Sequence, residues 1–169
     1  MANRPQSGSV AFAPRARLLK LIGRELIANE IVALTELVKN AHDADASNVV
    51  LEFSEVGGSE GVIVVRDDGE GMDVEALLGC WMQPAGSSKS RPDQFRTPGN
   101  RRVLGEKGVG RFAADKLGCQ LELVSRRAGS DTEVRATFDW DRFDDDTALL
   151  SEIQNKWEVR PATEIEDHG

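Results

Sequence analysis

Apolar residues recur at helical spacing from Leu26 through Ile27, Ile31, Leu34, Leu37 and Val38 to Ala41, which predicts one long amphipathic helix over about 29–43. Upstream, Leu18, Leu19, Leu21 and Ile22 predict a short first helix, interrupted near Gly23. Downstream the period changes. Val49–Phe53 and Val62–Arg66 read as two strands joined by the glycine-rich connection 57–61. Asp73 is an N-cap residue for a helix over 74–82. From 84 to 107 the periodicity is lost, because Pro84, Gly86, Pro92, Pro98, Gly99 and Gly105 break it; this long loop reads as a lid. A helix follows over 109–117, ended by Gly118. Residues 120–126 and 133–138 read as antiparallel strands around a turn at 128–131, and 157–160 as a further strand. The acidic, aromatic stretch 139–146 receives no element.

The order of elements fits an α/β (α+β) two-layer sandwich: a mixed, mostly antiparallel sheet with helices on one face. Residues 1–14 read as a flexible N-terminal arm and 15–169 as one domain. The chain of 169 residues is long enough for a sizeable core, and its 40% apolar and 30% charged composition is that of a soluble globular domain. No apolar run would span a bilayer and no signal-peptide core is present, so no membrane partner and a cytoplasmic location are expected. The net charge of -8 argues against general nucleic-acid binding by this domain, leaving such contacts to other domains. Cys80 and Cys119 have no metal-type spacing and read as reduced thiols.

The polar positions of the long helix carry the candidate chemistry. Glu36, Asn40 and Asp43 are spaced i, i+4 and i+7, so they share one face beside the apolar stripe. Two glycine-bearing segments follow. Asp67-Asp68-Gly69-Glu70-Gly71-Met72 closes the second strand, and Gly105-Glu106-Lys107-Gly108-Val109-Gly110 opens a helix. Asp67 ends a buried strand, where an unpaired carboxylate is costly; Asp68 points the other way by alternation. Gly105, Gly108 and Gly110 can present successive backbone N–H groups, with Val109 between them, at a helix start suited to phosphate.

These three motifs, in this order, resemble those of the GHKL superfamily, which includes gyrase B, large heat-shock chaperones, histidine kinases and MutL. The resemblance covers about residues 20–140 and implies the Bergerat fold with a long ATP lid. It implies ATP and Mg²⁺ as ligands. Glu36 is then either the general base that orients water or an ordinary surface glutamate. Asn40 is either the Mg²⁺ ligand or a backbone cap. Asp43 lines the pocket or caps a turn. Asp67 either accepts the adenine amino group or is a plain Asp-Gly turn acid, Gly69 and Gly71 admit the flat base, and Met72 packs on it or in the core. Lys89 and Lys107 are candidates for phosphate charge.

The resemblance implies ATP binding and hydrolysis that drive lid closure and conformational change or homodimerisation in a larger chaperone- or MutL-like protein. A histidine-kinase catalytic domain and a nucleotide-sensing module without turnover are the alternatives. MutL and gyrase B take a phosphate-sensing lysine from a second domain, and no such domain is expected within residues 1–169. The family's later Gly-Thr motif is expected where the chain ends at Gly169, so a truncated domain is expected.

Overall fold

A computed structural model of the chain describes residues 9–83, 96–105 and 110–169. The long helix is α2, Glu30–Asp43. Asn29 starts it by accepting the Val32 N–H at 3.0 Å, which satisfies one of the helix's orphan donors. The first helix, α1 (Leu18–Leu26), runs through Gly23 without the expected interruption. A methyl group on Gly23 would lie 3.6 Å from Phe112 Cβ, so the glycine lets α1 pack closely there. Such packing offsets the roughly 1 kcal/mol that a helical glycine costs.

Strand β1 (Val49–Ser54) pairs with β2 (Val62–Asp67), Val49 opposite Asp67. After β2, Asp73 caps α3 (Val74–Ala76) by accepting the Ala76 N–H at 2.8 Å. The helix does not continue to Met82 as an α-helix. It widens into a π-helical turn at Leu77–Trp81, closed by Met82 N–H on Leu77 O at 2.8 Å. The predicted helix over 109–117 appears as a 3-10 turn, Gly110–Phe112, followed by α4, Ala113–Leu117. Then β3 (Gln120–Ser125), β4 (Thr132–Asp139) and β5 (Lys156–Pro161) form a second sheet in that order.

Helices and antiparallel sheets together give the expected α/β architecture. Every ladder among the described residues is antiparallel, and they form two sheets where a single mixed sheet was expected. The connections at 55–61 and 126–131 are too short for parallel crossovers, which fixes those two pairs as antiparallel. β2 and β3 both line the cleft that lies between the sheets.

The main core sits against one face of β4. Val134, Ala136 and Phe138 alternate inward and meet Leu77, Phe112, Trp140 and Phe143. Trp81 lies 4.6 Å from Phe138, ring centre to ring centre, so the π-helical turn delivers this ring to the core. The acidic stretch after β4 is a 3-10 helix, Trp140–Asp144, with its aromatics buried and its acids outward. The buried side chain of Lys20 ties α1 to it, with the ammonium 2.5 Å from Asp144 and 3.6 Å from Asp115.

Of the predicted arm, residues 1–8 lie outside the described residues. Residues 9–13 are exposed, and the chain is anchored at Pro14, whose carbonyl accepts the Leu150 N–H at 2.9 Å. Of the predicted lid, residues 84–95 and 106–107 lie outside the described residues; 96–105 is held against the end of α2. No helix among the described residues is long and apolar enough to cross a membrane.

Leu77 is fully buried where the π-helical turn meets the core. Leu77→Ala is expected to lower the free energy of unfolding by about 2–5 kcal/mol, measured by urea denaturation. A loss under about 1 kcal/mol would show that the turn does not anchor the core.

Candidate functional site

Three elements converge on the cleft between the sheets: the polar face of α2, the end of β2, and the turn that leads into α4. Glu36, Asn40 and Asp43 line it from α2, Asp67, Gly71 and Met72 from the β2 end, and Gly105 and Gly110 from the third motif. The helical spacing therefore places the first three together, and the chain topology brings the two glycine motifs to them. Gly69 stands behind the cleft, where a methyl group would meet both Cβ and O of Ala44 at 2.8 Å. Lys89, Lys107, Gly108 and Val109 lie outside the described residues.

Glu36 is 23% exposed, and its two oxygens face different neighbours. Oε1 accepts from Lys39 Nζ at 2.7 Å, one turn along the same helix. Oε2 faces Gly110: a methyl group there would sit 3.1 Å from Glu36 Oε2 and 3.6 Å from Asn40 Oδ1. Gly110 thus leaves open the space in front of an acid and an amide one turn apart. Lys39 is a site neighbour that the motifs do not name, although its i, i+3 spacing from Glu36 carries the signal.

Asp43 is only 8% exposed at its side chain. Its two oxygens accept the Leu104 and Gly105 N–H groups at 2.8 and 2.9 Å. Asp43 therefore lines the cleft and at the same time fixes the backbone where the third motif begins. Of its two expected uses, lining a pocket is observed; the cap it forms is on a segment some sixty residues away, not on its own turn.

The adjacent acids at the end of β2 have opposite surroundings. Asp68 points away and accepts the Ser47 N–H at 2.6 Å, the Asn48 N–H at 2.7 Å and the Asn48 side-chain amide at 2.8 Å. The Asn48 backbone donor is the main reason its carboxyl lies below the usual carboxylate range. Asp67 points into the cleft. Its Oδ1 accepts the Gly69 N–H at 3.0 Å, and no described protein group donates to Oδ2. Burial pushes its carboxyl above the usual range; the Gly69 N–H opposes the shift and the charge of Asp68 adds to it.

Gly71 carries the chain across to the second sheet with φ +65°, a left-handed conformation that favours glycine. A methyl group on it would lie 1.9 Å from Arg126 O, so no side chain fits. Met72 is half-buried, and its N–H donates to Ser125 Oγ at 2.8 Å. Ser125 donates in turn to Gly169 O at 2.6 Å, and Gly169 exchanges two backbone bonds with Arg126. Gly169 therefore sits at the cleft between the ends of β2 and β3. Ser125 was not legible as a site residue, since a serine at a strand end carries no spacing signal. Buried Glu133 shapes the same wall by accepting the Glu164 and Ile165 N–H groups, both at 3.1 Å.

The donor set can be tested against Mg²⁺ and an adenine nucleotide. No group of three His, Cys, Asp or Glu among the described residues could hold a metal by itself. A cation here would rely on Asn40 Oδ1, water and phosphate oxygens, a sparse protein ligand set of the kind Mg²⁺ accepts. Asp67 Oδ2 is an acceptor held in a desolvated place, which fits an amino-group donor on a flat base beside Gly71 and Met72.

Comparison with known proteins gives the same direction. The family model described as "Histidine kinase-, DNA gyrase B-, and HSP90-like ATPase" matches residues 29–169. The DNA mismatch repair protein MutL of Dictyoglomus thermophilum is 32% identical over 102 residues, covering 60% of this chain and 17% of that protein. The mitochondrial heat shock protein 75 kDa of Rattus norvegicus is 27% identical over 171 aligned residues, covering 92% of this chain and 23% of that protein. The MutL of Chlamydia felis is 47% identical over 51 residues, covering 30% of this chain and 8% of that protein. The chain thus spans less than a quarter of the length of these relatives.

The Asp67 carboxyl gives a pH signature. Burial favours its neutral acid, so ionisation costs the free fold stability as pH rises through the raised pKa. A donor to the carboxylate needs the ionised form. Affinity for an adenine nucleotide is therefore expected to fall as pH drops through that pKa, by up to about tenfold per pH unit below it. Calorimetric titration at stepped pH reads this, and the dependence should vanish in Asp67→Asn. The same pH dependence in that variant would place the titrating group elsewhere.

Proposed function

The chain belongs to the histidine kinase-, DNA gyrase B- and HSP90-like ATPase family, and we propose that its cleft binds ATP with Mg²⁺ and hydrolyses it. The observation that carries this reading is the meeting of Glu36 Oε2 and Asn40 Oδ1 at Gly110, where the third motif enters the turn before α4. Asp67, from β2, supplies the acceptor for the adenine amino group. The turn at Gly110 offers the backbone to the phosphates, while the Gly105 N–H is held by Asp43.

Asn40 Oδ1 would hold Mg²⁺, which when bound would supply charge neutralisation at the phosphate oxygens. Glu36 orients a water and takes its proton as the water oxygen bonds to the γ-phosphorus and the bond to the β,γ-bridging oxygen breaks. The Lys39 contact on Oε1 holds the carboxylate while Oε2 is left for the water. Asp43 acts by fixing Gly105.

The MutL and heat-shock relatives support hydrolysis over phosphotransfer to a histidine. In a longer protein of that kind, turnover would be coupled to conformational change and dimerisation, and any nucleic-acid contact would come from other domains. Gly169, at the cleft beside Asp67, is read as the glycine of the later Gly-Thr motif.

The division of labour on α2 is directly testable. Asn40→Ala is expected to weaken Mg-ATP binding. Glu36→Ala is expected to bind ATP nearly normally and to hydrolyse it at least about 10²-fold more slowly, in calorimetry paired with a phosphate-release assay. An unchanged hydrolysis rate in Glu36→Ala would remove Glu36 as the base, and equal loss of binding in both variants would make the helix face a structural unit.

A further inference from the structure

Asp45 follows α2 with φ +61°, the left-handed conformation that is least costly for glycine and tolerated by aspartate and asparagine. A glycine there would be cheaper for the backbone. The side chain is what aspartate adds, and it is only 14% exposed. Its carboxylate accepts the Thr97 hydroxyl in a short hydrogen bond and the Gly99 N–H at 2.6 Å, and Arg101 Nε lies 3.8 Å away. These donors, Thr97 first, hold the Asp45 carboxyl below the usual range.

The segment it holds is a closed turn. Thr97 N–H donates to Arg101 O at 2.8 Å, Asn100 N–H donates to Thr97 O at 2.9 Å, and Arg96 bridges to Arg102. Thr97 is buried, and Arg101 donates onward to Ala46 O at 2.5 Å. A methyl group on Gly99 would lie 2.7 Å from Asp45 Oδ1, so the turn is seated against the carboxylate with no room between them. A few residues later the same stretch of chain is caught by Asp43 at Leu104 and Gly105. Two carboxylates two residues apart therefore hold this segment at two points and fix its path into the third motif. Asp45 itself does not line the cleft.

We propose that Asp45 is a positioning residue for phosphate recognition: by seating the Thr97–Arg101 turn on the end of α2, it sets the path on which the backbone at Gly105, its N–H held by Asp43, enters the third motif relative to Glu36 and Asn40. This rests on the ATP reading of the cleft. The carboxylate acts through the turn and touches no ligand, so its removal must be felt at the phosphate end of a nucleotide and not at the base.

The test uses Asp45→Gly, which keeps the left-handed backbone and removes the carboxylate, and Thr97→Val, which removes the hydroxyl that Asp45 accepts together with the bond that hydroxyl takes from the Arg101 N–H. Each is titrated calorimetrically with Mg-ATP and with adenosine, alongside the unsubstituted chain and a melting curve. Asp45→Gly is expected to weaken Mg-ATP at least about fivefold while changing adenosine affinity by less than about twofold. The double variant should lose less than the sum of the two single losses, since the substitutions share the Asp45–Thr97 bond. Unchanged ATP affinity, or equal losses for ATP and adenosine, would overturn the proposal. If Asp45→Gly does not fold, Thr97→Val decides by the same ATP-to-adenosine comparison. Adenosine binding without any gain from the phosphates in the unsubstituted chain would overturn the proposal while leaving the base site standing. Binding of neither ligand by that chain would overturn the ATP reading and the proposal together.

Discussion

The structure around the cleft depends on carboxylates that capture backbone N–H groups from distant segments of the chain. Asp43 takes the amides of Leu104 and Gly105, Asp45 that of Gly99, Asp68 those of Ser47 and Asn48, and Glu133 those of Glu164 and Ile165. Irregular segments carry amides that no helix or ladder satisfies, and an ionised acceptor makes roughly twice as strong a bond to them as a neutral one. Three segments without regular structure are thereby held to α2, β2 and β4. The acidic balance of the chain is partly explained in the same way, since these acids organise backbone.

This arrangement separates two kinds of polar group on a single helix. Each oxygen of Asp43 accepts a backbone N–H, from Leu104 and from Gly105. Asn40 and one oxygen of Glu36 remain directed at Gly110 and the open cleft. The polar face of α2 thus holds backbone at the helix end, where Asp43 sits, and faces Gly110 in the preceding turns, which carry Asn40 and Glu36. The core cluster on β4 and the Lys20 ion pairs fix α1 and α4. Because α4 lies against α2, Glu36 and Asn40 rest on a packed support.

Much of this was legible from local patterns. The apolar period located α2, and β-branched runs with glycine connections located the β1–β2 hairpin and the β3–β4 pair. Alternation alone separated Asp67 from Asp68. What escaped was decided by contacts between segments far apart in sequence. Gly23 reads locally as a break, yet Phe112 packs against it. Asp45 follows the helix in sequence, yet its carboxylate serves a turn more than fifty residues on. The π-helical turn at Leu77–Trp81 answers to the core that receives Leu77 and Trp81. Ser125 and Gly169 meet at the cleft only because β3 ends where the chain returns from β5.

The central claim is that the cleft receives an adenine nucleotide, with Asp67 as acceptor for the base. Asp67 is the group there whose desolvated oxygen lacks a described protein donor. The most direct measurement is calorimetric titration of ATP with Mg²⁺ into the chain and into Asp67→Asn, with GTP as the comparison. A single saturable site for ATP, weakened in the variant by about 1.5–3 kcal/mol with little gain for GTP, is the expected result. Equal ATP affinity in the two proteins would contradict it.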